Sequence, residues 1–405
     1  MLYQLHELHK TIAAPLVAWA DVNHRLFTNP YSPLAYHPFS RTIAASQEFM
    51  ARLMRSYEKP KWSISHAALE SGDVAVVVEP VLQKPFCNLL HFRKEAEQPG
   101  PRMLLFAPLS GHHATLLRDT VRTALRDFDV YVTDWVDARM VPISAGAFHF
   151  DDYVAYCMEF IRLLGPDVHV VSVCQPTVPV LAAVSLLAQA GDPASPKTMV
   201  MMGGPIDPRR NPTAVNEFAM GRPYSWFEQR VIHRVPFTYP GFMRRVYPGF
   251  LQHAGFIAMN AGRHIDAHRQ FFNHLIVGDG DSAASHRRFY DEYNAVLDMP
   301  AEYYLDTIKT VFQEFALPKG TMTVNGELVR PEAIHKTALL TIEGELDDIS
   351  GNGQTEAAHN LCCNVPSEKR KHLLAPGVGH YGIFSGRKFR EQIYPQIRGF
   401  VARWS

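Results

Sequence analysis

Along the chain the spacing of apolar positions changes character three times. Over residues 1 to 70 it is helical, with Leu2, Leu5, Leu8 and Ile12 and later Phe49, Leu53, Met54 and Tyr57, and without strand signals. From Asp73 short apolar runs begin. Residues 74–79 and 86–92 predict two strands joined by a Pro-containing turn. Residues 103–107, 129–133, 168–173 and 198–202 predict further strands, separated by helices over 114–126, near 152–164 and from Thr177. Strand and helix alternating through short connections predict a parallel sheet with right-handed crossovers. The alternation stops at Gly203-Gly204-Pro205, and residues 205 to about 332, rich in aromatic residues, Arg and His, read as helices and loops. Strands resume at 337–343 and 372–375, with helices near 355–361 and over 388–404.

Charge and cysteine content narrow the function classes. Forty basic residues balance forty acidic ones, which removes the electrostatic case for nucleic acid or an anionic membrane surface. The five cysteines, Cys87, Cys157, Cys174, Cys362 and Cys363, are odd in number and lack CxxC spacing, which suggests a reducing compartment and neither a disulfide framework nor a zinc site. No run approaches the roughly 18 apolar residues that a transmembrane span needs. Pro15 interrupts the apolar stretch at 13–20, Glu7 precedes it and Asp21 closes it, so a secretory signal is not expected and a cytoplasmic location is. No motif calls for a metal or a cofactor. The N-terminal helices either pack on the main domain or present an amphipathic surface to something hydrophobic.

The chemistry centres on one turn. The run 168–173 is apolar on both faces, as at the middle of a parallel sheet, and Cys174 stands at its end. A small apolar helix follows from Thr177, with Pro176 and Pro179 near its first turn, where amide hydrogens lack intrahelical partners. Strand, sharp turn and helix with a nucleophile at the apex form the nucleophile elbow of an α/β-hydrolase, although Ser172 and Pro176 replace the usual glycines. The competing reading is an inert core cysteine, so the partners matter. Gly344-Glu-Leu-Asp-Asp348 follows the penultimate strand, at the sheet edge where open α/β proteins place ligands. Asp347 fits the acid, and Asp348 a helix cap or solvated neighbour. Gly377-Val-Gly-His-Tyr-Gly382 follows the last strand and supplies His380.

Nucleophile, acid, histidine is the α/β-hydrolase chain order. In such a triad His380 takes the Cys174 proton, the thiolate attacks, and Asp347 fixes the imidazole tautomer. The backbone amides of Gln175 and of the Leu109-Ser110 loop are the candidate oxyanion donors. His112 and His113 either line the mouth of the site or are solvated loop residues. Leu109, His112 and Trp226 are candidate substrate contacts. The expected architecture is an α/β-hydrolase fold, a mostly parallel central sheet with an inserted helical cap and an N-terminal helical extension. Its expected parts are the extension (1–70), the first part of the core (71–204), the cap (205–332) and the second part of the core (333–405). The cap would shield the site from water and shape an apolar groove.

Several stretches together carry a family resemblance: Ser172-Val-Cys-Gln-Pro176, Ala107-Pro-Leu-Ser-Gly-His-His113, Thr133-Asp-Trp-Val-Asp-Ala-Arg139, Gly203-Gly-Pro-Ile-Asp-Pro-Arg-Arg-Asn-Pro212 and Gly377-Val-Gly-His-Tyr381. They resemble the intracellular polyhydroxybutyrate depolymerases over nearly the whole chain. The resemblance implies hydrolysis of amorphous poly(3-hydroxybutyrate) in bacterial cytoplasm, at the granule surface, releasing 3-hydroxybutyrate oligomers and monomer. It also implies Cys174, Asp347 and His380 as the site residues. Polyhydroxyalkanoate synthases are similar at Asp134-Trp135 and at 300–304, but they keep glycines around their cysteine and are usually longer at the N-terminus. Two rival readings stay open. One is a synthase-type acyltransferase, since water or another hydroxyl can resolve a thioester. The other is a non-catalytic granule-coat protein.

Overall fold

The longest apolar runs become the middle of one large sheet. A computed structural model describes residues 2–70, 72–96 and 98–405. Its central sheet has nine strands: β1 (His66–Leu69), β2 (Gly72–Gln83), β3 (Cys87–Lys94), β4 (Arg102–Phe106), β5 (Asp129–Trp135), β6 (Val168–Val173), β7 (Thr198–Met202), β8 (Ala338–Gly344) and β9 (Arg370–Ala375). They lie in the order β1-β2-β3-β5-β4-β6-β7-β8-β9. Pairing is antiparallel from β1 through the β3–β5 contact and parallel from β5 onward. An antiparallel start followed by this crossed order is the α/β-hydrolase sheet, with β1 added at the edge. That short edge strand falls in a stretch expected to hold only helices.

Every residue of β5, β6, β7 and β8 is buried, because helices cover both faces. Burying a valine fully contributes roughly 1.5 to 3 kcal/mol, so the central run 168–173 can only be a strand that water never reaches. Helix α3 (Arg118–Ala124) lies between β4 and β5 in the chain, and two helices flank the central run: α4 (Phe150–Leu164) and α5 (Thr177–Gln189). The chain leaves β4 toward β5 on one side and β6 toward β7 on the other. The loops after β4 and β6 therefore part above the sheet, and the crevice between them is where open α/β sheets bind ligands.

Between β7 and β8 the chain builds the expected cap from six helices: α6 (Ala214–Met220), α7 (Tyr224–Arg230), α8 (Gly249–Met259), α9 (Ala261–Val277), α10 (Gly280–Tyr293) and α11 (Ala301–Thr307). It also holds a three-stranded sheet (His233–Arg234, Arg245–Tyr247, Met299–Pro300) and a hairpin of Thr323–Val324 with Glu327–Leu328. Strands of two or three residues are too short to carry a period-2 pattern, which is why the sequence reads there as helices and loops.

The N-terminal part is a pair of helices, the first of them asymmetric in burial. Helix α1 (Leu2–Thr28) packs on α2 (Ser40–Met54) and, through Tyr3, on the cap. Only Tyr3, Ala13 and Ala20 of α1 are buried, and the Tyr3 hydroxyl donates to Asp298 Oδ2 at 2.6 Å. Its other face bears Leu5, Leu8, Ile12, Leu16, Trp19, Val22 and Leu26, each between 43 and 60% exposed. One face of this helix packs and the other stays bare.

Candidate active site

At the end of β6 the backbone turns sharply. Cys174 has φ +67°, a left-handed conformation that costs a side-chain-bearing residue roughly 1 to 2 kcal/mol. Its amide donates to Met202 O at 2.7 Å and its carbonyl accepts from Thr177 N at 3.2 Å. These bonds fix the turn and leave the half-buried thiol at the apex. The other cysteines differ: Cys87, Cys157 and Cys362 are sealed in the core, and burial pushes their thiols up, Cys362 to about 12.

The loops after β8 and β9 bring the partners. Leu346 N donates to Val378 O at 2.9 Å and Gly377 N to Glu345 Oε2 at 2.6 Å, so the two loops hold each other. His380 Nδ1 and Asp347 Oδ2 are 2.8 Å apart, with the histidine side chain 5% exposed and the carboxylate fully covered. The other carboxylate oxygen, Oδ1, accepts the amides of Ile349 and Ser350, each at 2.9 Å. With Nδ1 committed to Asp347, Nε2 is left for the thiol. Burial alone would lower the His380 pKa; the Asp347 carboxylate and a charge and hydrogen-bond interaction with Cys174 together hold it well above the usual value. Asp348 is exposed and accepts from Asn260 Nδ2 at 2.8 Å, as a surface neighbour.

Two further features make this assembly possible, and neither stands among the expected site residues. Gly203 has φ +56°, and a Cβ built there would lie 2.4 Å from Ile383 Cδ1, 3.2 Å from Asp347 Oδ2 and 3.4 Å from His380 Cε1. Only a glycine lets the acid and the imidazole sit so close to the end of β7. At Gly204 the same construction meets Thr177 Oγ1 at 1.8 Å, so the elbow helix seats directly on that backbone. A Gly-Gly pair closing the strand beside the elbow is the sequence signal that points here. Tyr303 of the cap and Tyr381 also come within electrostatic range of Cys174.

Among the described residues no acceptor takes the backbone amide hydrogens of Gln175 or Ser110, so both are free to donate. Leu109 is buried in the main core. His112 and His113 are not solvated, which corrects that reading. Both are buried where cap residues cover their loop: His112 bonds Tyr293 O at 3.1 Å and stacks on Phe256. Burial pushes their pKa values down to about 4 and about 3, so both are neutral at pH 7. Trp226 is not brought to the thiol; it packs against Phe218, Phe227 and Arg222 around a separate small cluster. Among the described residues no group of three or more His, Cys, Asp or Glu is arranged to hold a metal ion, and no helix is long and apolar enough to cross a membrane.

The strand order and the three strand ends define the chain as an α/β-hydrolase. A family model described as PHB de-polymerase C-terminus matches residues 203–405, and the chain belongs to that family. It is accordingly an ester hydrolase. The matched half contains the cap, Asp347 and His380, and begins after Cys174. Solved structures similar to the chain include 2-hydroxy-6-oxo-6-phenylhexa-2,4-dienoate hydrolase from Rhodococcus sp. strain RHA1, with 12% identity over 81% of this chain and 99% of that one at a TM-score of 0.45. A Paleococcus ferrophilus monoacylglycerol lipase shows 11% identity over 76% and 98% at 0.44, and a Thermogutta terrifontis esterase 12% over 84% and 97% at 0.40. No curated protein matches the chain.

Proposed function

We propose that this protein hydrolyses the ester bonds of amorphous poly(3-hydroxybutyrate) and its oligomers through a triad of Cys174, His380 and Asp347. The observation that carries the proposal is the buried 2.8 Å His380–Asp347 contact, with the elbow thiol as the next partner of the same imidazole, in a chain of this family. His380 Nε2 takes the thiol proton, and the paired thiolate attacks the ester carbonyl carbon. The oxyanion is held by the Gln175 amide and a second amide at Ser110. Collapse breaks the C–O bond, and the leaving hydroxyl takes its proton from His380. Water, deprotonated by His380, then cleaves the thioester, and the acid leaves with the thiol restored.

The surroundings support the polymer as substrate. The N-terminal extension is tied to the cap through Tyr3–Asp298 and Glu48–Arg287 and offers the bare face of α1. That row of large apolar side chains suits adsorption to a granule, in a protein working in the cytoplasm. The test incubates wild type and Cys174→Ala with amorphous polymer and with the soluble trimer and measures 3-hydroxybutyrate released. The triad predicts near-complete loss in the variant on both substrates. A variant that keeps more than about a tenth of the wild-type rate would falsify it.

A further inference from the structure

Beside the nucleophile lies a set of polar atoms with nothing to bond. Both side-chain atoms of Gln175, Nε2 and Oε1, are shielded from solvent and have no hydrogen-bond partner, and the same holds for the hydroxyl of Tyr303. The two residues are neighbours, yet they close no bond of proper length and angle with each other. The Thr307 hydroxyl, also near the phenol, spends its one proton on the Tyr303 carbonyl at 2.8 Å and has no donor left for the site. Tyr303 cannot swing away, being 1% exposed, stacked on Tyr153 at 5.3 Å and packed beside Phe148 at 6.0 Å. A buried polar group without a partner costs roughly 1 to 3 kcal/mol, so three such atoms around one thiol describe a binding site rather than a core.

The donor and acceptor inventory says what would fill it. The amide offers an NH2 donor and a carbonyl acceptor, and the phenol can do either. A free hydroxyl donates and accepts at once and satisfies both residues. The ester oxygens inside a polyester chain only accept, and would leave Gln175 Oε1 unpaired. We propose that the Gln175 side chain and the Tyr303 phenol bind the free 3-hydroxyl of a terminal 3-hydroxyacyl unit whose carbonyl is attacked by Cys174, so that units are removed from the hydroxyl end of the chain. The inference rests on the esterase reading above and adds which end of the substrate is recognised.

The experiment compares kcat/KM for aryl esters of 3-hydroxybutyrate and of butyrate in wild type and Tyr303→Phe, a change that keeps the aromatic stack. Wild type should prefer the hydroxy ester by about tenfold or more, and the variant should bring the ratio to within about threefold of one. A second measurement needs no variant: wild type should cleave a 3-hydroxybutyrate trimer at least about tenfold faster than the same trimer acetylated on its terminal hydroxyl. A wild-type ratio near one, equal cleavage of the two trimers, or two esters that decline together in Tyr303→Phe overturns the inference. If the protein cleaves these esters only with Cys174 present and the ratio ignores Tyr303, this inference alone fails. If no cleavage depends on Cys174, the proposed function fails with it.

Discussion

Replacing Asp347 by asparagine probes the site at its most committed contact. The carboxylate is fully covered; Oδ2 meets His380 Nδ1 at 2.8 Å while Oδ1 takes two backbone amides at 2.9 Å. In Asp347→Asn the carbonyl oxygen keeps the two amides, because only an acceptor fits there, and the NH2 therefore faces Nδ1. Two donors cannot share that contact, so the imidazole shifts its proton to Nε2, the atom that must receive the thiol proton. The imidazolium also loses its buried anion, so its pKa, held up by Asp347 and Cys174 against burial, falls. Removing one partner of a buried charge pair costs roughly 3 to 5 kcal/mol, and at 1.36 kcal/mol per decade the loss in kcat should be about 10² to 10⁴.

Stability carries the same sign. A histidine whose folded pKa stands above its ordinary value of 6.5 stabilises the fold fully below that value and loses the contribution as pH rises through the folded pKa. The variant should therefore lose more Tm at pH 6 than at alkaline pH. The assay follows acid release from the soluble trimer between pH 5 and 10, beside thermal unfolding at each pH. A kcat within about tenfold of wild type throughout would refute the role given to Asp347.

Two further outcomes follow from the geometry. Gly203→Ala should fold but lose kcat by about 10- to 100-fold, since its methyl displaces the imidazole and carboxylate by tenths of an ångström or more. Gly146→Ala shares the strained backbone, at φ +81°, with open space around it, and is the control for stability alone; equal kcat in the two variants sinks the argument. Leu8→Lys with Ile12→Lys should weaken adsorption to amorphous polyester by about tenfold or more while the trimer is cleaved at the wild-type rate. Unchanged adsorption by sedimentation with granules would rule out the bare face of α1 as the docking surface.

Much of the frame is legible in the sequence because its signals are local. The run 168–173 emerges with the expected bounds and the helix begins at Thr177 as expected, since a valine-rich run and prolines confined to a first turn admit few other structures. Asp347 and His380 are legible from order along the chain, and the fold puts them in contact. What escapes depends on distant residues. Nothing near His112 reveals that Tyr293 and Phe256 will cover it, and aromatic content in the cap does not say which ring comes near the elbow, so Trp226 stands out in sequence and Tyr303 does not. The need for glycine at 203 arises only when two loops from later strands close over it.

The cap interrupts the chain between β7 and β8, and this divides the site in the order of synthesis. Cys174 and its elbow emerge first, and Asp347 and His380, its partners in the proposed triad, arrive only after the whole helical excursion has been made. Until then the sheet lacks its last two strands, and the thiol has no imidazole to take its proton. On the proposed triad, a ribosome-bound or C-terminally truncated chain should be chemically quiet, with ester cleavage beginning only when the final strand docks.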